Sequence, residues 1–399
     1  MSALMLLTGA GLFCELHAAS PDAKGDTYLP WEGGSAYYKQ WTNGPSSDPG
    51  FFPISVWLQD PRNAARYAAI GVNQYIALPG RASDESLATL AQAGITVFVN
   101  QSKSALASPK NSVIRGWFLY DEPDNAQDKP GGGYGPCILP PVMFKRYEQV
   151  KAADATRPAY LNFGQTVAYE NWVGRGEACA GHDEHYPQYI KGTDIVSFDI
   201  YPVNTKLPLW WVGKGIDRLR VWAEYRKPVW DWIETSAFNA GPKPTPADVR
   251  SEVWLSIIHG AMGIGYFCHQ FKPVQNDAAP LDDPPMREAL AAINAQIKTL
   301  APVLNTRSIS NGVTVSSSNA DSPVDVMLKR QGGATYLLAA GARPGGETTA
   351  AFKLRGCPKN LTATVLGESR TVKVSGGVLQ DHFSNYEVHL YQLPFLPEN

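Results

Sequence analysis

From residue 51 onward, short apolar or aromatic runs alternate with stretches of helical periodicity, and eight such runs leave few folds open. They are Phe52 to Leu58, Gln74 to Leu78, Thr96 to Asn100, Gly116 to Tyr120, Ala159 to Phe163, Ile195 to Tyr201, Pro228 to Ile233 and Gly263 to Cys268. Runs of this length suit strands buried on both faces, as in parallel sheets covered by helices. Between them, Ala64 to Ile70, Asp84 to Ala93, Pro141 to Ala153 and Ala247 to His259 carry small or apolar residues at helical spacing. Several open on Asp or Pro, both good helix starters. Eight strands is the count that closes a barrel. The expected fold class is α/β, a (β/α)8 TIM barrel closed by a last helix over Met286 to Leu300.

Beyond residue 305 the helical pattern stops and Val-, Thr- and Gly-rich segments alternate with period two. Candidate strands are Val324 to Lys329, Thr335 to Ala340, Thr348 to Leu354, Thr362 to Leu366, Arg370 to Val374 and Glu387 to Gln392, punctuated by Gly-Gly turns. A small all-β domain, a β-sandwich, is expected. The 399 residues exceed what one core serves well, which agrees with two domains. The expected division is 1–20 signal peptide, 21–304 catalytic barrel and 305–399 β-sandwich.

The leader reading rests on the apolar run Ala3 to Phe13, of secretory length and followed by His17-Ala18-Ala19. The run is too short to span a membrane. A secreted or periplasmic location is expected. Without the leader, Cys137, Cys179, Cys268 and Cys357 remain, and the first two fall in loops that a barrel sets side by side. A Cys137 to Cys179 disulfide is open to them, whereas Cys268 lies in an apolar strand and reads as a buried free thiol. Their spacing matches no zinc template, so neither a metal nor another cofactor is expected.

Charge narrows the partners. A formal net charge of -2 gives no cationic face for nucleic acid or an anionic membrane surface. The expected oligomeric state is a monomer. The 11 Trp and 18 Tyr exceed ordinary core needs, and flat amphipathic rings also stack on sugar faces. The stretch Pro130-Gly131-Gly132-Gly133-Tyr134-Gly135-Pro136 reads as a surface loop, with a flap over the site as the functional alternative.

In such a barrel the chemistry sits at the C-terminal ends of the strands. Strand four ends Tyr120-Asp121-Glu122-Pro123 and strand seven ends Trp232-Ile233-Glu234-Thr235, so each delivers a glutamate just past its apolar run. Cleaving a glycosidic bond takes one carboxylic acid to protonate the leaving oxygen and one carboxylate to attack or to activate water. These residues resemble clan A of the glycoside hydrolases, barrels whose acid/base glutamate ends strand four, typically inside Asn-Glu-Pro, and whose nucleophile ends strand seven. The resemblance covers about residues 51 to 303. It implies Glu122 as general acid/base and Glu234 as nucleophile, about 5 Å apart, in a retaining double displacement on a β-linked poly- or oligosaccharide. Asp121 stands where the clan has an Asn on the sugar 2-hydroxyl. It could accept a hydrogen bond from a hydroxyl, and its charge would help raise the Glu122 pKa.

Strand six, Ser197-Phe198-Asp199-Ile200-Tyr201, puts Ser197, Asp199 and Tyr201 on one face. Clan members use a strand-six tyrosine beside the nucleophile, which makes Tyr201 the candidate for orienting Glu234. Asp199 reads as an interior hydrogen-bonding residue. Around the same rim, Trp57 with Gln59, Asn100, Trp232, and His269 with Gln270 offer rings and amides that suit a polyhydroxylated ligand. Two other readings compete. One is a carbohydrate-binding barrel that has lost turnover. The other is a metal-dependent hydrolase using His182 and His185 of Gly181-His182-Asp183-Glu184-His185, a segment that otherwise reads as a surface loop after strand five.

Overall fold

The computed structural model describes residues 25–171, 174–175, 181–237 and 241–397, so the leader lies outside the described residues. Strands and helices alternate as β1 (Ile54–Trp57), α1 (Ala64–Ala69), β2 (Gln74–Ile76), α2 (Asp84–Gln92), β3 (Thr96–Val99), α3 (Lys103–Ala107), β4 (Ile114–Asp121), α4 (Pro140–Ala153), β5 (Ala159–Phe163) and α5 (His185–Lys191). They continue as β6 (Ile195–Asp199), α6 (Pro202–Thr205), α7 (Trp211–Trp222), β7 (Val229–Glu234), α8 (Pro246–Ile258), β8 (Ile264–Phe267) and α9 (Pro284–Leu304). Each strand pairs in parallel with the next, and β8 returns to β1, closing the barrel. Local chemistry sets several helix starts. Ser83 caps α2 in a reciprocal box with Ser86, and Thr245 does the same for α8 with Asp248, with Pro246 in the first turn.

The barrel interior is filled by rings. Trp57, Phe98, Phe118, Tyr160, Trp230 and Trp232 form one buried cluster, joined by Tyr38 and Trp41 of the segment before β1. Rings this large fit because the neighbouring strand gives way. A Cβ on Gly263 would lie 2.6 Å from Trp230, and Gly265 stands in the same way against Trp232. The interior is thus a packed core, as expected for eight strands.

The second domain adds β9 (Val313–Ser317), β10 (Val324–Gln331), β11 (Ala334–Gly341), β12 (Thr348–Leu354), β13 (Asn360–Val365), β14 (Arg370–Ser375), β15 (Val378–Phe383) and β16 (Val388–Leu393). The sheet runs β10-β11-β16-β13-β14-β15-β12-β9, all antiparallel. Pairing narrows to two residues at β13–β16 and at β14–β15, the joints where it folds over its own core. Sequence patterning misses β9, whose burial alternates only between intermediate and exposed, and β15, where Asp381 and His382 interrupt the apolar signal.

The two domains share a core, since Met327, Leu338, Ala340, Val388 and Leu390 join the cluster outside the barrel. Lys329 is buried there and donates to the carbonyls of Leu304 (2.9 Å) and Thr306 (2.5 Å). It satisfies carbonyls at the end of α9, which runs past the expected Leu300 to Leu304 with Pro302 in its last turns. No helix among the described residues is long and apolar enough to cross a membrane.

Candidate active site

Glu122 is the first residue past β4, and its φ of 47° places it in the left-handed region, which costs a residue with a Cβ about 1 kcal/mol or more. Its backbone N–H donates to Asn162 O on β5 at 2.9 Å, which holds this turn in place. The Glu122 carboxylate accepts from Arg175 Nη2 at 2.6 Å, and 18% of the side chain remains exposed at the mouth.

Around Glu122 stand three further carboxyls. Asp121 accepts from Asn162 Nδ2 at 2.9 Å, and Asn162 in turn accepts from Ser197 Oγ at 2.6 Å. Trp232 Nε1 donates to that Ser197 oxygen at 3.2 Å, so a polar chain runs from the mouth into the barrel interior. Enclosure by the cleft and then the Glu122 charge push the Asp121 carboxyl up to about 7. Asp124 is buried, accepts from Gly164 N (3.1 Å) and Tyr186 Oη (2.9 Å), and is also pushed up to about 7 by burial and by Glu122.

Asp199 completes the group. It lies in hydrogen-bonding contact with Glu122, and burial followed by the Glu122 and Asp121 charges holds its carboxyl well above the usual range. The Tyr201 hydroxyl donates to Asp199 Oδ2 at 3.2 Å, and the Tyr201 ring packs on Phe267 with centroids 5.1 Å apart. The hydroxyl of the tyrosine expected from sequence to orient Glu234 is thus directed to Asp199, on the strand-four side of the mouth.

Glu234 is built differently. It accepts from the backbone N–H groups of Val203 (2.5 Å) and Asn204 (2.9 Å), and from the Asn204 side-chain amide. These are first-turn donors of the four-residue helix α6, groups that have no partner within a helix. The side chain is fully buried. Burial outweighs the donors and pushes its carboxyl up to about 7. Glu252 on α8, also fully buried, contacts Glu234 and is held well above its ordinary value by burial and by that neighbour.

The remaining sequence candidates divide by burial. Trp57 and Trp232 pack edge to face at 4.9 Å inside the barrel, with Trp57 also against Phe118 at 5.4 Å, so their bodies belong to the core. Gln59 is fully buried, donates to Asp277 O at 2.6 Å and accepts from Tyr67 Oη at 2.7 Å. Its amide nitrogen also lies 3.2 Å from His269 Nε2, which makes the pair a brace between β1 and the turn after β8. Asn100 is exposed at the rim and donates to Phe118 O at 3.1 Å. Of the residues not anticipated, Asn162 and Asn204 could have been found by period two and by helix-start chemistry. Arg175 sits in a long connection without periodicity and carried no signal.

Cys137 is buried in a disulfide, while Cys179, its expected partner, lies outside the described residues. Cys268 is a buried free thiol, as expected. The glycine-rich stretch forms an exposed local turn, with Lys129 N bonded to Gly133 O at 3.0 Å.

No family model and no curated protein matches the sequence. Among solved structures, the chain is similar to an alpha-amylase from Geobacillus thermoleovorans complexed with acarbose, at TM-score 0.53 and 11% identity over 86% of this chain and 98% of that one. It is also similar to AmyP in complex with maltose, at TM-score 0.51 and 10% identity over 93% and 96%. At such identities the likeness is one of fold: a (β/α)8 barrel followed by an all-β domain.

Proposed function

We propose that this protein is a glycoside hydrolase that cleaves O-glycosidic bonds of a β-linked poly- or oligosaccharide by retaining double displacement, with Glu122 as acid/base and Glu234 as nucleophile. The observation that carries the reading is a partly exposed glutamate at the mouth of β4, gripped by Arg175, in a barrel that ends β7 on a second glutamate. Likeness in fold to barrels solved with acarbose and with maltose supports the coarser part of the reading, action on glycosides, rather than the linkage or the mechanism. In the first step the Glu122 proton goes to the glycosidic oxygen as the C–O bond breaks, and a Glu234 oxygen bonds to the anomeric carbon. In the second, water attacks that carbon, returns a proton to Glu122 and releases Glu234. For this Glu234 must exchange the α6 amides for substrate.

A second assignment has its own support. Asp199 already lies against Glu122 with Tyr201 donating to it, which suits it to serve as the second carboxylate. One experiment separates the two. Turnover of an aryl glycoside by Glu234→Ala and Asp199→Ala is measured with and without azide. Rescue confined to E234A, with net retention by NMR in the wild type, supports Glu234. Rescue confined to D199A transfers the role, and net inversion overturns double displacement. The Cys137 disulfide supports a working compartment that is oxidising, outside the cytosol.

A further inference from the structure

The site leaves one motif of the sequence unused, Gly181-His182-Asp183-Glu184-His185. It forms the turn into α5, in which His185 N donates to His182 O at 3.0 Å and Tyr186 N to Asp183 O at 3.2 Å. This turn gathers His182, Glu184 and His185 so that one donor atom from each lies within 4.8 Å of the others. His182 Nδ1 stands 2.9 Å from Glu184 Oε1, and the two imidazoles lie nearly parallel with centroids 4.7 Å apart.

The intervening residue faces elsewhere. Asp183 accepts from Arg218 Nη2 of α7 at 2.7 Å, and the other arm of that guanidinium donates to Tyr169 O. The nearby cation is therefore already neutralised, and the turn is tied to α7 through Asp183, the kind of support that ligands need to hold their geometry.

We infer that His182, Glu184 and His185 bind a divalent transition-metal ion of the zinc class, with water completing the coordination. Two imidazoles and one carboxylate match the borderline preference of such ions, whereas calcium and magnesium take oxygen ligands. His182 and Glu184 are exposed, so the ion has an open path. An ion at this turn would hold together the residues that lead into α5, the helix whose Tyr186 donates to Asp124.

Titration of metal-free protein with zinc chloride, followed calorimetrically, tests this. One saturable site is expected, weakened in H182A and in H185A by at least the roughly tenfold that loss of even an outer-shell partner costs. Zinc should also raise the melting temperature of the wild type and leave that of H182A/H185A unchanged. Glu184→Gln, which disturbs the turn least, should weaken binding with an unaltered metal-free melt. Absence of saturable binding, or equal binding by wild type and the double variant, overturns the assignment.

Discussion

At the mouth of β4, Glu122 stands on a left-handed backbone with its carboxylate against a half-exposed arginine and partly open to solvent. At the mouth of β7, Glu234 is sealed, its oxygens occupied by amides of α6 and its back against the carboxyl of Glu252. The residue type and its place after an apolar strand are the same, but the surroundings differ in kind. A cation and three carboxyls surround one, while amide donors and a single buried carboxyl surround the other. Strand position therefore delivers a carboxylate to the mouth, and the neighbouring loops decide whether it is presented or stored. After β4 the chain turns away at once at Pro123, whereas α6, which follows β6, closes over Glu234.

The sharpest way to break this contrast is to remove each glutamate. Both Glu122→Ala and Glu234→Ala should lower kcat, by about a hundred- to ten-thousand-fold where acid/base help is lost. Only E234A should also destabilise, by about 1–3 kcal/mol, because it strands the buried α6 amides. Thermal or urea unfolding beside kinetics checks this, and equal stability loss in both variants would erase the distinction.

A smaller effect should follow from Asn204→Ala. The Asn204 donors hold the Glu234 carboxyl down against burial, so their partial loss moves it further above about 7. An ionised nucleophile then requires higher pH, and the acid limb of kcat/KM should shift upward. The stability linkage has the opposite sense. A carboxyl raised in the folded state stabilises below its unfolded value of 4.5, and that contribution is lost as pH rises through about 7. N204A should extend this decline to higher pH, read from melting temperatures across pH 4 to 9, roughly the range over which such a group titrates.

The smallest change is expected from Arg175→Ala. With 42% of the arginine side chain exposed, its ion pair contributes about 0–1 kcal/mol to stability after solvent screening. The unfolding midpoint should hardly move, while kcat/KM should fall because the arginine no longer positions the Glu122 carboxylate. A large loss of stability would show that the arginine braces the fold.

Much of this was legible in the chain. All eight barrel strands lie within the apolar runs or within two residues of them, because a strand buried on both faces is predominantly apolar. Asp121, Glu122 and Glu234 could be placed at strand ends for the same reason. What periodicity could not convey is which way a rim residue turns. Trp57, Trp232, Gln59 and His269 sit at strand ends and went into the interior or into braces, because large rings fill a barrel whose eighth strand supplies Gly263 and Gly265.

The sequence by itself determined the alternation of strands and helices, the change to an antiparallel domain near residue 305, and the two glutamates that end β4 and β7. These follow from local patterns of hydrophobicity, which act over a few residues. Only the tertiary structure decided that Asp199 meets Glu122, that Arg175 reaches Glu122 across 53 residues of chain, and that α6 encloses Glu234. Such contacts depend on how distant loops close over the barrel mouth, and nothing in the spacing of apolar residues records that.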